Sequence, residues 1–146
     1  MTRMSKDAAY DNDLLVKDAG LIAADDVAQV GGADAIIDMG VGRFDGRLII
    51  DATAVEVANG DERYNLELQF SNSATFASAV VNGPGQALGD AATIVGADTD
   101  NGAGRYELAF CNEVAGTQYR YARLSIDVAG TIATGVNFTA FIAKPA

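Results

Sequence analysis

Short stretches of alternating polar and apolar residues run through most of this chain, separated by turn residues at intervals of roughly 8–15 residues. In the clearest of them, residues 63–70, Tyr64, Leu66, Leu68 and Phe70 fall on every second position. Side chains of a strand alternate between its two faces, so this spacing predicts a half-buried antiparallel strand. No stretch keeps a helical period over the length of an ordinary helix. The alternation therefore predicts an all-β sandwich or barrel.

The same pattern predicts about eight short strands in a single domain formed by residues 34–146. Asn59-Gly60 follows one apolar stretch and precedes another, which predicts a type I′ hairpin between residues 47–58 and 63–70. Residues 82–85, Asn-Gly-Pro-Gly, are expected to end a strand over residues 76–81. The expected strands, of which 117–128 is the longest, cover residues 35–39, 47–58, 63–70, 76–81, 91–95, 105–110, 117–128 and 136–142.

Residues 1–33 differ from the rest because they are rich in Asp and Ala and sustain neither a helical nor a strand period. They end on Gly31-Gly32, a strong turn signal. This composition predicts an extended N-terminal arm with one short helical turn, packed on its own domain or on a neighbouring subunit. Its short apolar stretches supply the candidate contact residues Leu14, Leu15, Leu21 and Ile22.

The charge of the chain excludes several classes of function. Twenty acidic residues against 10 basic ones give a formal net charge of −10 and a pI near 4.2, which argues against direct nucleic-acid binding. The chain has no histidine, which removes histidine-based triads and histidine-ligated zinc. It also has no apolar run long enough for a membrane span. The first residues lack the apolar core of a secretory signal. We therefore expect the protein to be located in a reducing cytoplasm or in a particle assembled there.

The charge is unevenly spread, since residues 1–100 hold 17 acidic and 6 basic residues while residues 101–146 hold 3 and 4. The basic part includes Tyr119, Arg120, Tyr121 and Arg123. Tyr and Arg are enriched at the centres of protein interfaces, so these four residues are a candidate interface that the acidic arm of a neighbour could meet. The alternative for these four residues is an ordinary exposed strand face. The alternative for the uneven charge is a solvated acidic surface.

The remaining motifs carry little chemistry. The Asp98–Gly102 turn has oxygen ligands that suit calcium, but its spacing departs from the EF-hand and its residue types are common in turns. The pair Asp25-Asp26 reads as solvated charge rather than as a catalytic dyad. Gly40–Arg43 and Gly83–Gly85 lack the context of phosphate-binding loops and are interpreted as turns. Cys111 follows an apolar position and is expected to be a small core residue. We therefore expect no cofactor, no metal, no catalytic residue and no enzymatic activity.

Five segments resemble the capsid cement proteins of tailed bacteriophages, of the Bbp16-like type. Three lie in the C-terminal half: GRYELAFCNE at 104–113, AGTQYRYARL at 115–124 and VNFTAFIAK at 136–144. The runs NDLL at 12–15 and IIDMG at 36–40 are similar to the opening arm and first strand of that family. The resemblance covers most of the chain, and its motifs are structural rather than catalytic.

The resemblance implies a jelly-roll-like β domain on the outside of a phage head. The protein would form a dimer or trimer at capsid symmetry axes and clamp neighbouring major capsid subunits, with assembly in the host cytoplasm. The alternative is a carbohydrate- or receptor-binding β-sandwich, with or without calcium, in which the exposed tyrosines stack on sugar rings.

Overall fold

The computed structural model describes residues 14–89 and 102–144, and within these ranges the chain is all-β, as predicted. No helix in these ranges has the length and apolar character that a membrane span requires. Six strands have eight or more residues: β7 (Asp45–Val55), β8 (Arg63–Ser71), β9 (Val80–Gly89), β10 (Gly104–Cys111), β13 (Tyr121–Ala129) and β14 (Val136–Ala143). Eight strands are short: β1 (Leu15–Lys17), β2 (Leu21–Ile22), β3 (Asp26–Val27), β4 (Gln29–Val30), β5 (Ala33–Asp34), β6 (Ile37–Asp38), β11 (Glu113–Val114) and β12 (Thr117–Gln118).

Two antiparallel sheets hold all of the long strands. The first, sheet A, has the order β1-β14-β7-β10, and β2 also pairs with β14. The second, sheet B, has the order β3-β13-β8-β9, and β6 also pairs with β13. Of the five connections between successive long strands, only that from β8 to β9 joins neighbours in one sheet, and the other four cross to the opposite sheet. Two further hairpins, β4-β5 and β11-β12, stand apart from the main sheets.

The core lies between the two sheets and is built by alternate side chains of each long strand. The four apolar residues predicted on one face of residues 63–70 are all fully buried, which confirms that strand. The ring centroids of Phe70 in sheet B and Phe110 in sheet A lie 5.9 Å apart, so aromatic contact joins the sheets directly. Full burial of each such side chain stabilises the fold by about 1.5–3 kcal/mol relative to exposure.

The predicted Asn59-Gly60 hairpin is wrong. The strands on either side, β7 and β8, belong to different sheets, so the turn carries the chain across the sandwich. The buried Glu62 carboxylate accepts hydrogen bonds from the N–H groups of Asn59 and Asp61 and holds this crossing. Two-residue hairpin turns occur instead at Gly31-Gly32, with φ of +62° and +82°, and at Ala115-Gly116, with φ of +52° and +81°.

The expected strand end at residues 82–85 is also wrong, because Asn82 to Gly85 lie inside β9. Proline lacks a backbone donor, but β9 is an edge strand in the described part of sheet B and accommodates it. Gly83 is needed because a Cβ there would stand 2.5 Å from the ring of Phe70. The preceding segment forms a turn in which Phe76 has φ +57°, so the strand predicted at 76–81 begins only at Val80.

The strand predicted over residues 117–128 is interrupted at Tyr119 and Arg120, and β7 is the longest strand instead. The interruption arises because the backbone N–H of Arg120 donates to the side chain of Asn72 rather than to a neighbouring strand. The expectation of about eight strands is not confirmed, since the described ranges contain fourteen. The strand predicted at 91–95 lies outside the described residues.

The N-terminal segment, where the structure describes it, packs on the sandwich of its own chain. Strands β1 and β2 extend sheet A, and β3 extends sheet B. Val16 and Ala28 are fully buried in the core. The buried ammonium of Lys17 donates to the carbonyls of Asp18, Gly20 and Phe138 at 2.8–2.9 Å, which attaches the segment to β14.

Replacing Gly83 by alanine should destabilise the protein by about 1–3 kcal/mol, because the new methyl group overpacks the buried ring of Phe70. Gly85→Ala is the matched control in the same strand: its nearest neighbour would lie 3.4 Å away, in ordinary contact. We expect that control to be neutral or up to about 1 kcal/mol stabilising. Urea unfolding of both variants measures the difference, and equal stabilities would contradict the packing assigned to Gly83.

Candidate interaction surface

The buried side chain of Asn112 joins three segments at one end of the sandwich. Its amide oxygen accepts the N–H of Phe44 at 2.8 Å, and its amide nitrogen donates to the carbonyls of Gly42 and Tyr119, each at 2.8 Å. Its backbone exchanges two further hydrogen bonds, with the carbonyl of Phe44 and the N–H of Tyr119. An amide side chain has a limited number of donors and acceptors, and here the hydrogen bonds use both of its donors and its oxygen.

The same end is braced by a second side chain, Asp38. Its carboxylate accepts two hydrogen bonds from the guanidinium of Arg120, at 2.8 and 2.9 Å, in the planar paired geometry that favours Arg–carboxylate contacts. One oxygen also accepts the N–H of Gly40. These hydrogen bonds, with that of Arg120 first, lower the pKa of Asp38 from 3.8 to about 2.

These contacts hold the loop Gly40-Val41-Gly42 on both sides. Gly40 and Gly42 have φ of +81° and +101°, values that an L residue rarely adopts, so glycine is required at both positions. Between them the side chain of Val41 is 93% exposed. A shallow groove of about 220 Å³ runs beside it, lined by this loop together with Asn72, Gln118, Tyr119 and Arg120. We call this region, defined by Val41, Arg43, Phe44, Asn112, Tyr119 and Arg120, the Val41 end.

The four predicted interface residues of the C-terminal part lie at or near the Val41 end but differ in exposure. Tyr119 is half-buried and packs against the core, and Arg120 is exposed but ion-paired. Tyr121 lies under the guanidinium of Arg120, 5.4 Å from its ring centroid. Arg123 donates to Gln69 at 3.0 Å and covers the ring of Phe76 at 4.4 Å, on the outer face of sheet B.

The four predicted contact residues of the N-terminal segment do not form one surface. Leu14 and Ile22 pack against the main core. Leu15 packs against a small second cluster formed by Ile49, Phe141 and Ala143. Leu21 is 56% exposed at β2. Of these four residues, Leu21 is thus the one that presents most of its side chain to a partner.

Several other sequence motifs can be placed. Asp25 accepts the N–H of Val128 at 2.7 Å, so its carboxylate has a structural contact. Cys111 is half-buried rather than a core residue, and its thiol lies 3.6 Å from the carbonyl of Glu113. No group of three or more acidic or cysteine side chains in residues 14–89 and 102–144 is arranged to hold a metal ion. The Asp98–Gly102 turn lies, except for Gly102, outside the described residues.

Sequence reasoning missed Val41, Asp38 and Asn112. The sequence did contain a signal for Val41, which is an apolar residue between two glycines in a predicted turn. Neither glycine has a side chain that could cover the valine between them. Asn112 had no comparable signal, since a lone asparagine after a strand is an ordinary turn residue.

Comparison with models of known protein families finds no match, and comparison with curated proteins finds none either. The resemblance to capsid cement proteins therefore stands on the residues quoted for it.

Replacing Asn112 by alanine should destabilise the protein by about 2–4 kcal/mol, because it leaves the N–H of Phe44 and the carbonyls of Gly42 and Tyr119 without their partner. Asn72→Ala is the control at the same end: this exposed side chain bonds to Arg120 and Gln118, and we expect a loss within about 1 kcal/mol. Urea unfolding provides the measurement. A loss below about 0.5 kcal/mol for Asn112→Ala would show that the end does not depend on this amide.

The carboxyl group of Asp38 should titrate at about 2, and Arg120→Gln should raise its pKa towards 3.8. Because the folded-state pKa is depressed, the stabilisation is fully present above about pH 4 and is lost as pH falls towards 2. Carboxyl carbon shifts followed by NMR across this range report the pKa directly. Titration of Asp38 near 3.8 in the wild-type protein would exclude the Arg120 contact in solution.

Proposed function

We propose that this chain is a structural cement or decoration protein that binds the outer surface of a tailed-phage head and clamps neighbouring major capsid subunits. The observation that carries the proposal is the Val41 end, an apolar side chain held out by braced backbone beside Tyr and Arg residues. Binding through preorganised groups loses little conformational entropy, which is what a permanent structural contact needs. Tyr and Arg beside an apolar anchor are typical of interface centres.

The strand order supports the finer proposal of a jelly roll. The orders of sheets A and B contain eight strands, long and short: β1, β3, β7, β8, β9, β10, β13 and β14. Numbered from one to eight along the chain, they read 1-8-3-6 in sheet A and 2-7-4-5 in sheet B. Two interleaved Greek keys produce this order in double-sheet jelly rolls, the fold that the resemblance implies. Fold alone does not determine function, so the order supports the architecture and the surface supports the role.

The proposal includes a homo-oligomer, dimer or trimer, at capsid symmetry axes, a location on the virion surface and no catalytic activity. The carbohydrate-binding alternative receives less support from the tyrosines. Tyr119 packs its ring against the core, and Arg120 lies over the ring of Tyr121, so neither resembles an open platform for a sugar.

Co-sedimentation with empty heads, assembled without this protein from the phage that encodes it, tests the proposal. We expect saturable binding with a fixed ratio of chains to capsomers, and an integral oligomer by mass measurement in solution. A second arm deletes residues 1–13 only, because a longer deletion would remove the buried Val16 from the core. Loss of head binding by this folded deletion variant would assign the arm to the capsid contact.

Absence of binding to heads by the full chain would refute the cement role. Glycan-array binding or a melting temperature that rises with calcium, together with absent head binding, would favour the carbohydrate module instead.

A further inference from the structure

The charges of the described residues are polarised along the long axis of the sandwich. The antiparallel registers bring the first residues of β7 and β13 to the Val41 end together with the last residues of β8, β10 and β14. The ring contacts of Phe110 with Phe44 and Phe70 join the two sheets there. This end carries more cations than anions: Arg43, Arg47, Arg120, Arg123 and Lys144 against Asp38, Asp45 and Glu113.

The opposite end has the reverse balance. Its acidic groups outnumber its basic ones: Asp25, Asp26, Asp51, Glu56, Asp61, Glu62 and Asp127 against Arg63 and Arg105. Arg105 is already bound by Asp51 at 2.7 Å, which leaves the remainder strongly negative. Among residues 14–89 and 102–144, the charges thus form a positive pole at the Val41 end and an acidic pole at the other end.

We propose that the chain docks end-on, with the Val41 end against an acidic surface of the capsid shell and Val41 filling an apolar socket there. This inference rests on the proposed function and adds to it the docking surface, the orientation and the chemistry of the partner. The acidic pole then points away from the shell.

Charge complementarity selects this occupant and orientation. An acidic protein approaching an acidic surface is repelled unless its cationic pole leads, and complementary poles both steer the approach and suppress the reversed orientation. The apolar contact supplies the short-range part. A β-branched side chain between two constrained glycines has little freedom to lose, so a socket that desolvates it gains most of its transfer free energy.

The chain offers matched pairs of variants for the test. Val41→Ser removes the apolar anchor, and Val57→Ser is its control, because Val57 is 47% exposed at the acidic end. Arg47→Glu reverses a cation near the Val41 end, and Arg63→Glu is its control. Both arginines are exposed, and each lies opposite two small residues: Ala109 and Ala143 for Arg47, Gly89 and Ala129 for Arg63.

Co-sedimentation with the same empty heads, at several salt concentrations, measures the affinities of the wild type and the four variants. We expect Val41→Ser to weaken binding about tenfold or more, and Arg47→Glu to weaken it and reduce its salt dependence. Each control should stay within about twofold of the wild type, since a group remote from the contact adds little to affinity. Melting temperatures confirm that all four variants are folded.

Two results would overturn the inference while leaving the proposed function intact. One is wild-type binding in which Val41→Ser and Arg47→Glu bind as tightly as their controls. The other is dissociation of a soluble oligomer by Val41→Ser with head binding unchanged, which would assign this end to a contact between copies of the chain. Failure of the wild type itself to bind heads would overturn both the inference and the proposed function.

Discussion

The burial of alternate side chains between two antiparallel sheets is the constraint on which the rest of this structure depends. Each long strand must bury one face, and the rings of Phe44, Phe70 and Phe110 extend this packing to the Val41 end. The same packing requires glycine at position 83, where a Cβ would meet the buried ring of Phe70. The loops at the two ends are then positioned by the sheets but must satisfy their own backbone groups.

The two ends satisfy their backbone groups with a different balance of amide and carboxylate side chains. At the Val41 end the neutral amide of Asn112 bonds three backbone groups, and the carboxylate of Asp38 accepts one, the N–H of Gly40. At the other end carboxylates do: Glu56 accepts the N–H groups of Ala133, Thr134 and Gly135 at 2.7–2.9 Å, and Asp61 accepts both the N–H and the hydroxyl of Thr131. These hydrogen bonds lower the pKa values of Glu56 and Asp61, so both remain charged under ordinary conditions. Part of the acidity of that end is therefore a consequence of how its loops are closed.

Period-two patterning predicted the class of fold and the inward face of β8, because burial of one strand face leaves a direct trace in the sequence. The pairing of the strands leaves no such trace in the sequence. Asn59-Gly60 has the local chemistry of a hairpin turn, yet the strands on either side, β7 and β8, lie in different sheets. Residues 82–85 were predicted to end a strand, but an edge strand can contain proline, and β9 is at the edge of sheet B in the described residues. The sequence of one strand does not show whether it lies at an edge.

The candidate surface was predicted only in part, and for a related reason. The split of charge along the chain indicated that the basic groups of the C-terminal part are distinctive. The fold regroups them: Arg105 and Arg120 bind Asp51 and Asp38 of the same chain, so much of the expected complementarity is satisfied within one molecule. Among the described residues, the charge difference that remains lies between the two ends of the sandwich rather than between residues 1–100 and 101–146. Because the strands run antiparallel, residues far apart in sequence lie at the same end, so charge counted along the sequence does not show which end of the fold is positive.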